Sequence, residues 1–191
     1  MAHSTDTTDE VFDISHIAGN ASDDLKRLIG DPGSFFSSRR PQSFEGPIFA
    51  ESIQRRLRCT EISINKKAEE ERKLEARYVI ETEVAEDMLN GGGNIHGGCS
   101  AFLVDICSSL ALFALGSEDK GDVRVSVSQS LNIVYHSPAQ LGDKLRIVNT
   151  TLTLGTRAQS VRTEIWNATH HRLVVSGTHI KMAASTPKPN L

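Results

Sequence analysis

One stretch of the chain combines residues that could do chemistry. Residues 90–116, with the sequence NGGGNIHGGCSAFLVDICSSLALFALG, open with glycines and continue as an apolar helix that holds one carboxylate, Asp105. A charge on an apolar helix is costly unless a partner satisfies it or a reaction uses it. Glycine lets a ligand approach the backbone closely, and the N–H groups at a helix start can stabilise a developing negative charge. We therefore treat this stretch as the candidate active site.

Simpler interpretations of the same residues remain open at this point. Asp105 could be a buried aspartate whose oxygens are satisfied by the hydroxyl groups of Ser108 and Ser109. Cys99 lies in the first helical turn, where a cysteine can have a lowered pKa and act as a nucleophile. Its place on the apolar face with Phe102 favours a small core residue instead. The G-x-S-x-G elbow of the serine hydrolases is absent from the sequence.

The overall composition limits the class of protein. A length of 191 residues predicts one domain that can bury a sizeable core. Hydrophobic residues make up 38% and charged residues 24%, which indicates a globular chain. The net charge of −3 gives no electrostatic reason to expect nucleic acid as the main partner. The longest apolar run, residues 110–115, is too short to span a bilayer, so no membrane insertion is expected.

Cysteine usage and the N-terminal sequence predict the compartment and the absence of metal. Three cysteines without motif spacing argue against a disulfide framework and against a zinc site. His170 and His171 lie at a predicted hairpin tip with no acidic or cysteine partner nearby, so we expect no metal there either. The acidic N-terminus has neither a hydrophobic signal core nor the Arg-rich character of a transit peptide. A cytoplasmic location is the default expectation, with the mitochondrion as the alternative.

The elements on either side of residues 90–116 must position them. Before them, the periodicity predicts two short helices and two strands, and after them alternation predicts an antiparallel series of strands. A single long helix cannot bury itself, and a curled sheet around it solves the packing in two layers. We therefore predict an α+β fold with one central helix in a curved antiparallel sheet of five to six strands. The predicted helices are 25–29, 49–57 and 99–115, the last ended by Gly116, and the predicted strands are 59–64, 74–84, 123–134, 144–154, 158–167 and 173–182.

Composition divides the chain into three predicted regions. Residues 1–48 are expected to form an N-terminal arm with a short helix and an irregular strap, and the first 24 residues are expected to be loose. Residues 49–183 form the main domain, and residues 184–191 a disordered tail. The phenylalanines of the strap either pack it onto the surface or make it a lid over a ligand.

Three motifs together carry a resemblance to a known family. The pattern N-x-x-G-x-x-H-G-G-x-x-x-x-x-x-D begins at Asn90, V-S-x-x-x-N-I-x-Y-x-S-P-A-x-L-G-D begins at Val127, and G-x-H-x-K begins at Gly177. The combination resembles the hotdog-fold acyl-CoA thioesterases and is closest to their PaaI-like and thioesterase superfamily member 2 branch. The resemblance covers roughly residues 57–183 and does not bear on the residues before them. It implies the hotdog fold.

The resemblance also implies roles for five residues of a catalytic site. Asp105 would be the general base or nucleophile, and Ser128 would position the water or assist Asp105. Asn90 and the turn at His96 would hold the thioester, while the backbone N–H of Gly97 would polarise its carbonyl. Alternatively, His96 shapes the turn through its own hydrogen bonds and never carries a proton.

Two further segments would contact coenzyme A according to the resemblance. The implied reaction is hydrolysis of an acyl-CoA thioester to a carboxylic acid and coenzyme A, in fatty acid metabolism. Coenzyme A is then part of the substrate, and no bound cofactor is expected. The implied contacts are Tyr135, His136, Ser137, Pro138, Ala139 and Gln140 in one segment, and Thr153, Gly155, Thr156, Arg157 and Ala158 in the other, with Arg157 placed to meet phosphate.

The resemblance implies self-association as well. The protein would form a homodimer with each active site at the interface, so that Asp105 and Asn90 serve one thioester from different subunits, and two dimers would pair into a tetramer. Three other functions remain open on the sequence. They are a non-catalytic acyl-CoA binder, a thioesterase for acyl chains on a carrier protein, and a hotdog hydratase or dehydratase. The last of these needs an acid and a histidine in a different arrangement, for which the sequence has no match.

Overall fold

The computed structural model describes residues 12–120 and 126–184. The predicted loose start at 1–11, the tail at 185–191 and the first residues of the predicted strand 123–134 lie outside the described residues. Within the described part, the helices and strands follow one another in this order. They are α1 (Asp23–Ile29), α2 (Pro32–Ser37), α3 (Glu51–Gln54), β1 (Arg58–Lys66), β2 (Leu74–Glu83), a 3₁₀ turn (Glu86–Met88), α4 (Gly97–Lys120), β3 (Ser126–Tyr135), β4 (Lys144–Leu154), β5 (Ala158–Asn167) and β6 (Arg172–Ala183).

The six strands of the described residues form one antiparallel sheet around α4. Their order across the sheet is β1-β2-β4-β5-β6-β3, which leaves β1 and β3 at its two edges. Helix α4 contacts every strand, because apolar side chains across a broad face of the helix, among them Leu103, Val104 and Leu110, are fully buried. The predicted α+β arrangement with one central helix is confirmed, and the sheet has six strands.

Helix α4 is longer than the sequence predicts. Gly116 does not end it, and the helix continues to Lys120. A glycine inside a helix costs only about 1 kcal/mol relative to alanine, and here the N-terminal segment covers the following turn, where the Ser22 hydroxyl donates to Glu118 Oε1 at 2.7 Å. Residues Gly97–Glu118 also meet the length and composition test for a membrane span. The core helix of a soluble protein has the same length and composition, and α4 packs against all six strands of the sheet.

The segment before α1 covers the free edge of β1. The backbone of Ala18 donates to Thr60 O at 3.0 Å and accepts from Ile62 N at 2.9 Å. The side chain of Asn20 does the same with Ile64, through its Nδ2 at 2.8 Å and its Oδ1 at 2.7 Å. These bonds satisfy backbone groups that an edge strand otherwise leaves open. The expectation that this part of the arm is loose is therefore wrong for residues 12–24.

The predicted irregular strap contains helix α2, which begins at the N-cap Asp31 and Pro32. Phe35 is buried and packs edge-on against Phe113 of α4, with ring centroids 4.9 Å apart. The guanidinium of Arg39 lies 3.6 Å from the centroid of the Phe35 ring. These contacts indicate that the segment is a strap, which packs on the second half of α4. The domain boundary at residue 48 stays a prediction.

Candidate active site

The carboxylate of Asp105 lies at the surface of α4 where the sheet leaves it accessible. Its side chain is 44% exposed, and the Ser128 hydroxyl of β3 donates to Oδ1 at 3.1 Å. The sequence-predicted pair of Asp105 and Ser128 is thus brought together within one chain. The hydroxyl groups of Ser108 and Ser109 donate to the backbone carbonyl of Asp105 at 3.0 Å and 2.9 Å. They do not satisfy the carboxylate, so the interpretation of Asp105 as a serine-satisfied buried residue is wrong.

His179 lies directly behind Asp105; the G-x-H-x-K motif includes this residue but assigns it no role. Its side chain is fully buried, its Nδ1 lies 2.7 Å from Ser108 Oγ, and its Nε2 lies 3.4 Å from Asp105 Oδ1. Because Ser108 already donates to a carbonyl, we assign the imidazole proton to Nδ1, which donates to Ser108 Oγ. Nε2 is then a bare acceptor, and it makes no hydrogen bond within residues 12–120 and 126–184.

Lys181 follows two residues later on the same face of β6. It is only 9% exposed, and its Nζ donates to Ser109 Oγ at 3.0 Å. Burial lowers the pKa of Lys181. Alternation places His179 and Lys181 on one face of β6, since side chains two apart in a strand point the same way. It does not indicate that this polar face is the buried one, and the packing against α4 decides that.

The buried histidine predicts how stability depends on pH. Burial lowers the pKa of His179, as does the charge of Lys181, although the charge of Asp105 raises it. Below about pH 6.5, the unfolded chain binds a proton that the folded His179 rejects, so stability falls as pH falls toward the lowered folded value. We expect the free energy of unfolding to fall by up to about 1.4 kcal/mol per pH unit more than in His179→Gln. Chemical denaturation of both proteins from about pH 7 to pH 5 measures this difference; equal slopes would contradict it.

The glycine-rich turn before α4 is closed by its own polar side chains. Asn90 Oδ1 accepts from the backbone N–H groups of Gly92 at 2.9 Å and Asn94 at 3.3 Å. His96 Nδ1 accepts from the N–H of Gly98 at 2.8 Å. That bond caps the helix start in the manner of an N-cap side chain. It supports the alternative in which His96 shapes the turn.

Gly97 is the first residue of α4, so its N–H is among those that the helix itself cannot satisfy. The Tyr135 hydroxyl of β3 donates to the carbonyl of Gly97 at 3.0 Å. The Tyr135 ring lies 3.4 Å from where a Cβ on Gly97 would be. A Cβ at residue 97 would therefore be in van der Waals contact with the Tyr135 ring, and glycine leaves this space beside the backbone free.

The first predicted coenzyme A segment packs against this turn. The carbonyl of Ala139 accepts from Ile95 N at 2.8 Å, and Asn94 pairs with Gln140 in an isolated bridge. The rest of the segment is tied to β6. His136 Nε2 lies 2.9 Å from Ser176 Oγ, Ser137 Oγ donates to Leu173 O, and Pro138 O accepts from Arg172 at 3.1 Å.

The second predicted segment forms the hairpin between β4 and β5. Thr153 Oγ1 lies 2.8 Å from Ser160 Oγ, Gly155 N donates to Ala158 O at 3.0 Å, and the side chains of Thr156 and Arg157 are exposed. In the register of the sheet, Ala158 lies opposite Met182 of β6. Tyr135 lies opposite Val175 of the same strand. Met182 and Val175 are about 23 Å apart along β6 at roughly 3.3 Å per residue.

The site residues of one chain therefore form two separate groups. The turn group comprises Asn90, His96, Gly97 and residues 135–140. The base group comprises Asp105, Ser128, His179 and residues 153–158. Asp105 comes eight positions after Gly97, a rise of about 12 Å along the helix. One carbonyl with its attacking water cannot contact both groups of a single chain.

The other candidates of the sequence carry no chemistry here. Burial raises the pKa of Cys99 to about 11, so the residue is not a thiolate nucleophile. His170, expected to have no acidic partner, has its Nε2 3.1 Å from Asp143 Oδ1. Across the two described ranges, no three His, Cys, Asp or Glu side chains converge as metal ligands.

Comparison with known proteins decides the family. Residues 92–174 match the model of the Thioesterase superfamily. Over 105 residues, the chain is 33% identical to acyl-coenzyme A thioesterase 13 of Mus musculus, an alignment that spans 55% of this chain and 71% of the relative. The chain belongs to the thioesterase superfamily. The matched range includes Asp105 and Ser128 but stops before His179.

Solved thioesterase structures share the fold. Zebra fish thioesterase superfamily member 2 superimposes with a TM-score of 0.58 at 25% identity, over 73% of this chain and 89% of that one. A hypothetical thioesterase from Streptococcus pneumoniae, solved with coenzyme A, superimposes with a TM-score of 0.51 at 26% identity, over 59% and 81%. The predicted resemblance, the hotdog fold and the assignment as a thioesterase are confirmed.

Proposed function

We propose that this thioesterase hydrolyses acyl-CoA to a free carboxylic acid and coenzyme A. The observation that carries the proposal is the carboxylate of Asp105, which is accessible to water, accepts from the Ser128 hydroxyl at 3.1 Å and lies 3.4 Å from Nε2 of the buried His179. The name of the mouse relative and the coenzyme A in the Streptococcus structure support coenzyme A as the carrier of the acyl group. Cytoplasmic location and fatty acid metabolism stay predictions.

The two groups supply the parts that the reaction needs. In the turn group, the Gly97 N–H and the Asn90 amide donate to the thioester oxygen, and a donor of this kind contributes about 10²–10³-fold to turnover. In the base group, Asp105 takes a proton from a water that Ser128 orients, and the water oxygen bonds to the carbonyl carbon. When the tetrahedral intermediate collapses, the C–S bond breaks, and the coenzyme A thiolate receives the proton that Asp105 took. The products are the carboxylic acid and the free thiol.

The separation of the two groups makes a homodimer part of the proposal. A dimer with two-fold symmetry can place the turn group of one subunit against the base group of the other, twice. The free edge of β3 is the surface best suited to the contact, because it lies at the sheet boundary and exposes Val134 and Tyr135 by 51% and 57%. We propose that two such dimers pair into a tetramer. In the assembled site, the exposed Arg157 binds a phosphate of coenzyme A.

A thiol-release assay on acyl-CoA esters of increasing chain length tests the function, with the same acyl groups on a carrier protein in parallel. We expect hydrolysis of acyl-CoA at a higher kcat/KM than of the carrier-bound esters. Faster hydrolysis of the carrier-bound esters would assign the other substrate class. Binding of acyl-CoA without any thiol release would assign the non-catalytic function. Light scattering of the same sample tests the shared site. If a monomer is the only species found, the shared site is contradicted.

A further inference from the structure

Two neighbouring residues of β6 are tied to two neighbouring residues of α4. His179 Nδ1 and Ser108 Oγ are 2.7 Å apart, and Lys181 Nζ and Ser109 Oγ are 3.0 Å apart. Both serine hydroxyls then donate to the same acceptor, the backbone carbonyl of Asp105. The ties fix the helix turn that carries Asp105 against the strand behind it. They also hold a buried ammonium group and a buried imidazole two residues apart on one face of β6, an arrangement that packing alone does not require.

Within residues 12–120 and 126–184, few charges surround His179. On α4 the neighbouring charge is the Asp105 carboxylate, and on β6 it is Lys181. The positions paired with His179 on the flanking strands are Leu131 of β3 and Val161 of β5, both apolar. Cys107, the other titratable group on this part of α4, is fully buried, and burial raises its pKa, so it is uncharged. Lys181 is therefore the cation that opposes protonation of His179.

We infer that Lys181 is a positioning residue whose buried ammonium group keeps His179 as a neutral acceptor behind Asp105. This role rests on the proposed function of Asp105 as the base. A neutral His179 leaves the Asp105 carboxylate free to hold Ser128 and a water. A protonated His179 would donate from Nε2 to Asp105 Oδ1, where it would compete with Ser128 and stabilise the carboxylate against taking a proton. Burial is the main cause that lowers the pKa of His179, and the charge of Lys181 lowers it further, in the direction that this role requires.

Two substitutions of Lys181 separate its charge from its packing. Lys181→Met keeps an unbranched chain of similar length and removes the charge, whereas Lys181→Arg keeps the charge. In Lys181→Met, we expect the acid limb of the kcat/KM profile to move up by about one pH unit, the size of shift that one nearby charge produces. Activity then falls about tenfold on that limb and stays within about twofold on the alkaline plateau. Lys181→Arg keeps the position of the limb.

The protonation of His179 is measured directly by NMR. Its imidazole signal is assigned by its absence from His179→Gln, and its titration midpoint is expected to rise in Lys181→Met by the same amount as the acid limb. Lys73→Met is the matched control, because Lys73 is exposed and contacts Glu70 at 2.7 Å. It is expected to change neither the profile nor the titration. Ser109→Ala removes the tie but keeps the charge, so its His179 midpoint is expected to stay near that of the wild type.

Three results would overturn the inference. The first is a His179 midpoint that stays in place in Lys181→Met. The second is an equal loss at all pH values, which indicates a structural role. The third is a Lys181→Arg profile shifted as far as that of Lys181→Met. If no acyl-CoA ester is hydrolysed at any pH, the proposed function fails, while the NMR titration still decides whether Lys181 controls the protonation of His179.

Discussion

Asp105→Asn is expected to lower kcat for acyl-CoA hydrolysis by about 10²–10⁴-fold, which is the usual contribution of general base catalysis. The amide has nearly the same shape and can still accept from the Ser128 hydroxyl, so the helix and the strand behind it keep their positions. It cannot take a proton from water, and this is the step that the carboxylate supplies. KM is expected to change little, because the turn group and the coenzyme A segments bind the substrate. Steady-state kinetics on the best acyl-CoA ester measure both constants.

Two other variants calibrate this result. Asp24→Asn removes the same charge from a fully exposed side chain on α1, and its kinetics are expected to match the wild type. Ser128→Ala removes one hydrogen bond to the carboxylate, which is worth about 1 kcal/mol, so a loss of roughly two- to tenfold is expected. An Asp105→Asn enzyme that hydrolyses as fast as the wild type would remove Asp105 from the mechanism. Equal losses in Asp105→Asn and Ser128→Ala would make the serine, not the aspartate, the decisive group.

Gly19→Ala is expected to lower the free energy of unfolding by about 3 kcal/mol. Gly19 has a φ of +96°, a conformation that costs alanine roughly 1–2 kcal/mol. A Cβ there would lie 2.2 Å from the carbonyl oxygen of Ile62, so the segment must move and lose backbone bonds to β1 worth about 1 kcal/mol each. For a chain of this size, the melting temperature falls by roughly 6–12 °C. Calorimetry measures the change.

Gly142→Ala is the matched control for that substitution. Its φ of +82° imposes the same backbone cost, but no atom lies within 4 Å of the added Cβ. We expect it to lose only about 1–2 kcal/mol. If both substitutions destabilise the protein equally, the close packing of residues 18–21 on β1 contributes nothing to stability, and the covering of this edge is incidental.

Some residues of the site can be predicted from the local sequence, and others cannot. Asp105 and Ser128 are predictable from the sequence, because a charge on an apolar helix is conspicuous and the family motifs include both positions. Their contact at 3.1 Å confirms that they lie together. His179 and Lys181 belong to the G-x-H-x-K motif, but the motif by itself assigns them no role. Polar residues in an amphipathic strand look alike whether they face water or a helix, and only the packing against α4 distinguishes the two.

The order of the N-terminal arm cannot be predicted from the sequence for a related reason. Its polar composition indicates a loose segment when each residue is considered alone. Its order depends on partners far along the chain, since Asn20 contacts Ile64 and Ser22 contacts Glu118. The end of α4 also depends on a distant partner. Gly116 has a local tendency to end a helix, but the N-terminal segment contacts the next turn through Ser22 and Glu118, and the helix continues.

Periodicity and motifs are local properties of the chain, and they suffice to predict the class of fold, the central helix, the strand series, the family, and the pair Asp105 and Ser128. Three features emerge only from the folded chain. Strands β3 and β1 are the edges of the sheet, His179 faces Asp105, and the turn group and the base group lie at opposite ends of one sheet. These features depend on which distant segments pair and in which register, and no local preference encodes the distance between two strand ends.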